Sequence, residues 1–449
     1  MPDTGRTAGP SGWIARSPWP PALAVAALAL ASFAFRLQAE PHFVDESAYI
    51  SQSYYAALFF EGRLDDRAWL EYPAYDLPPL PKYLIGAALA LGGHRAPGPA
   101  EAMAWYRNTE RRFVTPAALV AARLPTVLLG VLGCVAVYGI GTLAGGRAVG
   151  ALAALFLAVN PLYRMLARRA MSDVPCEAFL LSGLFLGLWA WRRWLSGRTH
   201  GRAWSAVTAA GMCAGLALLC KLSGALTLMV LAAWAVVGAL LRGRVASLPG
   251  LTLATLLASA VAAATFVALD PYLTAHPSGP LPPAIAELDR ATLIERARRL
   301  PELRVQVAAE QQDLFPHNAL RSPRDKAATA LVQGFGRFGL LGPAHSDSTR
   351  RYDLSQDWGA LFWLPLVLTG ALVARAAGRD QRARDEPPMS WALLVHFLVA
   401  LVVVTTYLPL AWDRYFLSLQ APASLLAAGA VVAGVRRLAH TGRRAKPGD

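Results

Sequence analysis

HFVDESAYISQSYYAALFFEGRLDDRAWLEYPAYDLPPLPKYL, residues 42–84, is the first long polar stretch of the chain. It carries an adjacent pair of acids, Asp45 and Glu46, and a dense set of aromatics from Phe43 to Tyr75. It closes on Asp76-Leu-Pro-Pro-Leu-Pro-Lys82. A linker between two membrane spans needs neither paired carboxylates nor a rigid Pro-Pro turn leading to a lysine. The stretch therefore reads as an active-site loop.

The rest of the chain sets its context. Hydrophobic residues make up 55% and charged residues only 16%, against about 25% charged in an ordinary soluble domain. Apolar runs recur nearly end to end, several long enough for the roughly 30 Å hydrocarbon core of a bilayer. The reading is an all-α polytopic membrane protein. Spans are expected at 21–38, 118–142, 147–163, 174–192, 204–220, 223–241, 249–269, 358–374, 391–410 and 415–435. The run 83–93 is too short to cross and suits an interfacial or re-entrant helix.

The net charge of +14 fits topogenic arginines in cytoplasmic loops. Its basic residues are scattered over many loops and form no nucleic-acid-binding stripe. With ten spans, the segments bearing Arg192, Arg242, Arg375 and Arg436 fall inside with both termini. With eleven they flip outward, against the positive-inside rule. Ten spans give a cytoplasmic tail at 1–20 and a transmembrane module at 21–269 whose first outer loop is 39–117. An extracytoplasmic loop layer follows at 270–357, then C-terminal helices at 358–435 and a basic tail at 436–449. Ala29-Leu30-Ala31 faintly resembles a signal-peptide cleavage site, but the apolar run continues past it, which favours an uncleaved anchor. In the second outer loop, 284–312 reads as an amphipathic helix and 323–333 as another.

Cys134, Cys176, Cys213 and Cys220 lie in or beside apolar spans with no CxxC spacing, so neither a disulfide framework nor a zinc site is expected. His276, His317 and His345 match no metal motif and read as loop residues.

The candidate chemistry lies at the outer face. Of Asp45 and Glu46, one can take a proton or bind metal while the other organises the loop; ordinary loop polarity is the plain alternative. Lys82, with its backbone pinned by prolines, is either a phosphate contact or an interfacial snorkelling residue. Arg164, Arg168 and Arg169, with Asp173, stand on the outer side against the charge rule. Lys221 and Arg414 are placed as oddly. Phosphate or anionic lipid would account for them, since arginine binds phosphate oxygens bidentately; helix-end snorkelling is the alternative.

Together these motifs resemble the protein O-mannosyltransferase family and its wider relatives, the lipid A aminoarabinose transferases. The signs are the Asp-Glu pair of the first outer loop and the D-x-P-P-L-x-K run of 76–82. Arg123-Leu-Pro, the Gly146-Arg147 hairpin, the A-R-x-A-x-x-D of 167–173 and the late Asp413-Arg-Tyr-Phe add to it. The chain departs from the mannosyltransferase motif at Leu77, where that family has histidine, and at Pro81, where it has glycine.

The resemblance implies a membrane glycosyltransferase of the type C fold. It would take a sugar from a polyprenyl-phosphate donor and pass it, with inversion, to an extracytoplasmic acceptor hydroxyl on a glycan, lipid or protein. Asp45 would be the general base and Glu46 its neighbour in the acceptor site. Asp76, Lys82, Arg168, Arg169, Asp173, Arg414 and Tyr415 would bind donor phosphate or substrate. No cofactor is specified, and a divalent metal is left open. The implied location is a cell membrane, a bacterial inner membrane by its relatives. A lipid or glycan transporter is the competing class, but transporters place ionisable groups near the bilayer midplane. Here nearly all of them sit at outer helix ends.

Overall fold

A computed structural model describes residues 19–107, 114–197, 201–344 and 358–444. The expected tail at 1–20 lies almost wholly outside these residues, as do His345 and the last five residues of the basic tail. Helices dominate, and among the described residues the only β pairing is an isolated bridge between Ala319 and Leu410.

Nine described helices are long and apolar enough to cross a membrane: 20–39, Pro116–Gly145, Asp173–Leu195, Gly201–Cys220, 222–242, 245–268, Ala360–Ala383, Met389–Tyr407 and 413–441. A tenth is broken. Arg147–Val159 and Pro161–Ala167 meet at a bend of 66°, where the expected span 147–163 would be straight. Pro161 has no N–H for the helical ladder. Asn160 takes over the new start, its Oδ1 accepting the Tyr163 N–H at 2.9 Å. Arg164 and Arg168, beyond the bend, reach carbonyls at the end of the first helix. The bent pair therefore returns the chain to the face where that helix ends, and counts as a crossing.

The apolar helix after the prolines, Pro79–Leu91, is about 20 Å long at 1.5 Å per residue, too short to span. It packs on Tyr55–Phe60 closely enough that a Cβ on Gly86 would lie 2.4 Å from the Ser53 carbonyl oxygen. Only glycine fits that approach. In the second outer loop the amphipathic stretch forms two helices, Pro283–Arg290 and Leu293–Leu314. They divide at a capping box in which Thr292 and Glu295 satisfy each other's backbone N–H groups. Pro323–Phe335 follows.

A large apolar cluster fills the space between the spans. A smaller aromatic cluster, with Tyr55, Trp69, Tyr83, Tyr272 and Leu288, joins the first outer loop to the second. Tyr83 donates to the Leu269 carbonyl at 3.2 Å, and the Tyr75 and Tyr272 rings lie 4.9 Å apart. The aromatics that crowd residues 42–84 are thus the cement between the loops.

Candidate active site

Asp45 and Glu46 open the helix Val44–Ser51, where the positive end of the helix dipole favours acidic side chains. Being adjacent, they point apart, and their surroundings differ. The Asp45 carboxylate is 30% exposed and paired with Arg414. Glu46 is fully buried against a fully buried Arg123.

Glu46 accepts bonds from Arg123 Nε at 2.8 Å and Nη2 at 2.7 Å, from the Ala170 N–H at 2.8 Å and from the Phe43 N–H at 2.9 Å. An acceptor-site role was expected for it. With no exposed surface and four donors around two oxygens, it faces the protein interior instead.

Four charged or aromatic elements meet around Asp45. Asp173, at the start of Asp173–Leu195, receives Lys221 Nζ at 2.7 Å. Lys221 stands in extended backbone between two spans, with 28% of its side chain exposed. Tyr415 lies between the cations, with Lys221 Nζ 5.6 Å and the Arg414 guanidinium 5.9 Å from its ring centre. The order across the site is Asp45, Arg414, Tyr415, Lys221, Asp173. Two half-open ion pairs flank one tyrosine. Tyr49 adds a buried wall, donating to Ser172 Oγ at 2.6 Å; burial, reinforced by the Asp173 charge, raises its phenol pKa and keeps it a donor.

Arg168 and Arg169 stand behind this group. Arg168 spends Nε on Glu40 at 2.9 Å and its two terminal nitrogens on the carbonyls of Phe33, Phe35 and Arg36 at 2.7–2.9 Å. Phosphate binding was expected of Arg168, but its donors are committed to Glu40 and to three backbone carbonyls. Arg169 is buried, with its guanidinium 4.3 Å over the Phe43 ring and 3.7 Å from Glu40. Its Nε and Nη1 have no hydrogen-bond partner.

Asp76 and Lys82 form a separate group between the outer loops. Lys82, 1% exposed, donates to the carbonyls of Pro73 at 2.5 Å and Ala74 at 3.1 Å and lies 4.8 Å over the Tyr55 ring. Asp76 pairs with Arg304 at 3.2 Å, tying the proline turn to the Leu293–Leu314 helix. Burial lowers the Lys82 pKa to about 7 against the pull of Asp76 and Asp270. Burial likewise raises Asp270 to about 7 against Lys82.

Among the described residues, no three His, Cys, Asp or Glu side chains come together as a metal would require. Asp45 and Asp173 face cations instead, and His276 bonds Asp289 at 3.1 Å. Sequence reasoning missed Glu40, Asp270 and Arg304 altogether. Arg123 carried a signal, an arginine inside an apolar run, but nothing in the order of residues names its partner 77 positions away.

Residues 68–273 match the family described as dolichyl-phosphate-mannose-protein mannosyltransferase, which bears out the resemblance. No curated protein matches the chain. Solved structures share its architecture. The apo oligosaccharyltransferase of Archaeoglobus fulgidus aligns with a TM-score of 0.55 at 16% identity, over 96% of this chain and 52% of that one. The same organism's AglB, in complex with an inhibitory peptide and a dolichol-phosphate, gives 0.54 at 16% over the same shares. ArnT from Cupriavidus metallidurans, bound to undecaprenyl phosphate, gives 0.52 at 16% over 94% and 61%. The fold is that of the type C membrane glycosyltransferases. The chain spans about half to three-fifths of the length of these proteins.

Proposed function

We propose that this protein is an inverting glycosyltransferase that moves a sugar from a polyprenyl phosphate to an acceptor hydroxyl on the extracytoplasmic side of the membrane. One observation carries the reading: a partly exposed carboxylate, Asp45, sits beside a partly exposed cation, Arg414, with a second, Lys221, across Tyr415, where several spans end. A lipid-linked donor presents its phosphate and anomeric carbon at that depth. The ArnT and AglB structures hold undecaprenyl phosphate and a dolichol-phosphate, and the matching family is one of dolichyl-phosphate-mannose transferases.

The chemistry follows from the arrangement. Asp45 takes the proton of the acceptor hydroxyl as its oxygen attacks the anomeric carbon. The bond from that carbon to the phosphate oxygen breaks on the opposite side, so the centre inverts and the lipid phosphate leaves. Arg414 has donors to spare beyond its bond to Asp45, and Lys221 faces it across Tyr415. Both stabilise the charge that grows on the phosphate, as preorganised cations do. Asp173 orients Lys221. Arg169, with unpartnered N–H groups, backs the site. Asp76 and Lys82 hold the two outer loops together.

The positive-inside rule supports this orientation: with ten crossings and the arginine-rich loops inside, this face would be outside. A cysteine placed at exposed Ser278 should then react with an impermeant thiol reagent in intact cells; protection there reverses the orientation. The activity is tested by mass spectrometry of envelope glycans and glycoproteins from a deletion strain complemented with wild type or Asp45→Asn. Wild type should restore a glycoform that the variant does not. Identical glycan profiles in all three strains sink the reading.

A further inference from the structure

The chain between the first span and Asp45 is held by its backbone. The guanidinium of Arg123 makes five hydrogen bonds: two to Glu46 and three to the carbonyls of Leu37, Glu40 and Pro41 at 2.9–3.2 Å. Arg168 takes the carbonyls of Phe33, Phe35 and Arg36. Arg36 is held in the left-handed region, at φ 52° and ψ 41°, a conformation that costs a non-glycine residue about 1–2 kcal/mol. Six carbonyls within nine residues are thus captured by two arginines from elsewhere in the fold. The last anchor is Glu46 itself, which also takes the Ala170 N–H. Ala170 lies three residues before Asp173, whose carboxylate is the far end of the site.

We infer that Glu46, Arg123 and Arg168 form a clamp whose function is to position Asp45, and that Glu46 and Arg123 are positioning residues of the transfer reaction. The inference rests on Asp45 being the base. Asp45 has one side-chain partner, Arg414, on an element 369 residues away, so nothing on its own helix fixes its direction. Its neighbour does so. Glu46 locks the first turn of the helix to the Arg123 span on one side and to the turn before Asp173 on the other. The two carboxylates of the site are thereby tied through one buried side chain. A shift of about 1 Å in a catalytic group costs up to about a hundredfold in rate. A clamp made of charge-assisted bonds in a buried setting is stiff enough to prevent one.

Arg123→Lys keeps the charge but loses the planar fork that reaches Glu46 and three carbonyls at once. Glu46→Gln keeps the shape but loses the charge. Both are assayed with full-length enzyme in nanodiscs, a polyprenyl-phosphate sugar as donor, and a donor analogue to count folded, binding-competent molecules. Per competent molecule, the turnover of each variant should fall about ten- to a hundredfold, while donor KM stays within a few-fold. Glu40→Gln, which loosens the Arg168 arm and the weaker Arg169 contact and leaves Glu46–Arg123 intact, should fall less, in the same kcat-only manner; it serves if the Glu46 and Arg123 variants do not fold. Wild-type turnover per competent molecule in these variants, or a rise in donor or acceptor KM with kcat unchanged, overturns the clamp. Asp45→Asn is run in parallel. If it keeps its rate, the base assignment falls and the clamp with it; if it is dead while the clamp variants turn over normally, only the clamp falls.

Discussion

Two ion pairs leave the first turn of one helix in opposite directions. Glu46–Arg123 goes inward, with both side chains fully buried; Asp45–Arg414 goes to the rim, with 30% and 22% of the side chains exposed. Residue types and helix position barely differ between them. What differs is the number of remaining obligations. Every N–H of Arg123 is spent on protein, so it holds; Arg414 keeps donors open to an incoming anion, so it can catch. The same contrast separates Arg168 from Lys221. It also bears on Arg164 and Arg168, expected on the outer face against the charge rule: both donate to carbonyls at the end of the first helix, and no anionic lipid is needed to account for them.

The sharpest way to break this comparison is Asp45→Asn, which keeps shape and hydrogen bonding but cannot take a proton near neutral pH. Loss of a general base costs roughly 10²- to 10⁴-fold, so transfer should nearly vanish with donor affinity within a few-fold. Retention of a tenth of the rate would return Asp45 to the class of plain loop residues. Next come paired stability measurements. Arg123→Met leaves a buried glutamate unpaired and should cost about 3–5 kcal/mol, seen as a large fall in detergent-resistant Tm. Arg414→Met breaks a partly solvated pair and should cost about 1 kcal/mol or less. Equal losses would erase the distinction between holding and catching.

Lys221→Ala tests the catching side alone. A charge-assisted contact to phosphate is worth about 1.5–3 kcal/mol, so donor kcat/KM should fall roughly ten- to a hundredfold while the protein still inserts. Unchanged kinetics would assign the lysine to Asp173 and nothing more. The smallest effect concerns the third charged group. Asp270, raised to about 7 by burial, binds a proton in the folded protein that the unfolded chain releases at ordinary acidic pH. Its contribution to stability is therefore lost as pH rises from about 4 to 7. Lys82, lowered to about 7, acts with the opposite slope, and stability is regained from about 7 to 10. Thermal shift against pH should show a minimum near neutrality. Asp270→Asn should flatten its acid limb and Lys82→Met its alkaline limb; a wild-type curve in both variants would detach these groups from the loop contact.

Much of this was legible in the sequence, and for physical reasons. Spans announce themselves because a bilayer core demands unbroken apolar runs, and their expected positions agree with the helices to within a few residues, apart from C-terminal extensions such as Ala360–Ala383 and Leu417–Arg444. The break at Asn160-Pro161 and the capping box at Thr292–Glu295 carried local signals too, but the reading of 147–163 as one span and of 284–312 as one helix passed over them. The division of labour between Asp45 and Glu46 was not. Two adjacent acids look alike until the partners are known, and those partners come from residues 123, 170 and 414. Lys82 misled in the same way: its proline frame was plain, but the carbonyls of Pro73 and Ala74 that absorb its ammonium are set only by the turn of the chain.

The carbonyl cages bear on how such a protein can change over time. Arg123 and Arg168 read the backbone of residues 33–41, and most of the side chains there play no part in the grip. Arg296 treats the carbonyls of Tyr272, Ala275, Leu288 and Asp289 in the same way. Substitutions at exposed Phe35 or at Gln38 should therefore leave the path of the chain unaltered, whereas exchange of the distant arginines even for lysine should disturb it. Side-chain identity and shape are uncoupled in these segments: the side chains of the loop take little part in its path, and the arginines that fix its form sit elsewhere.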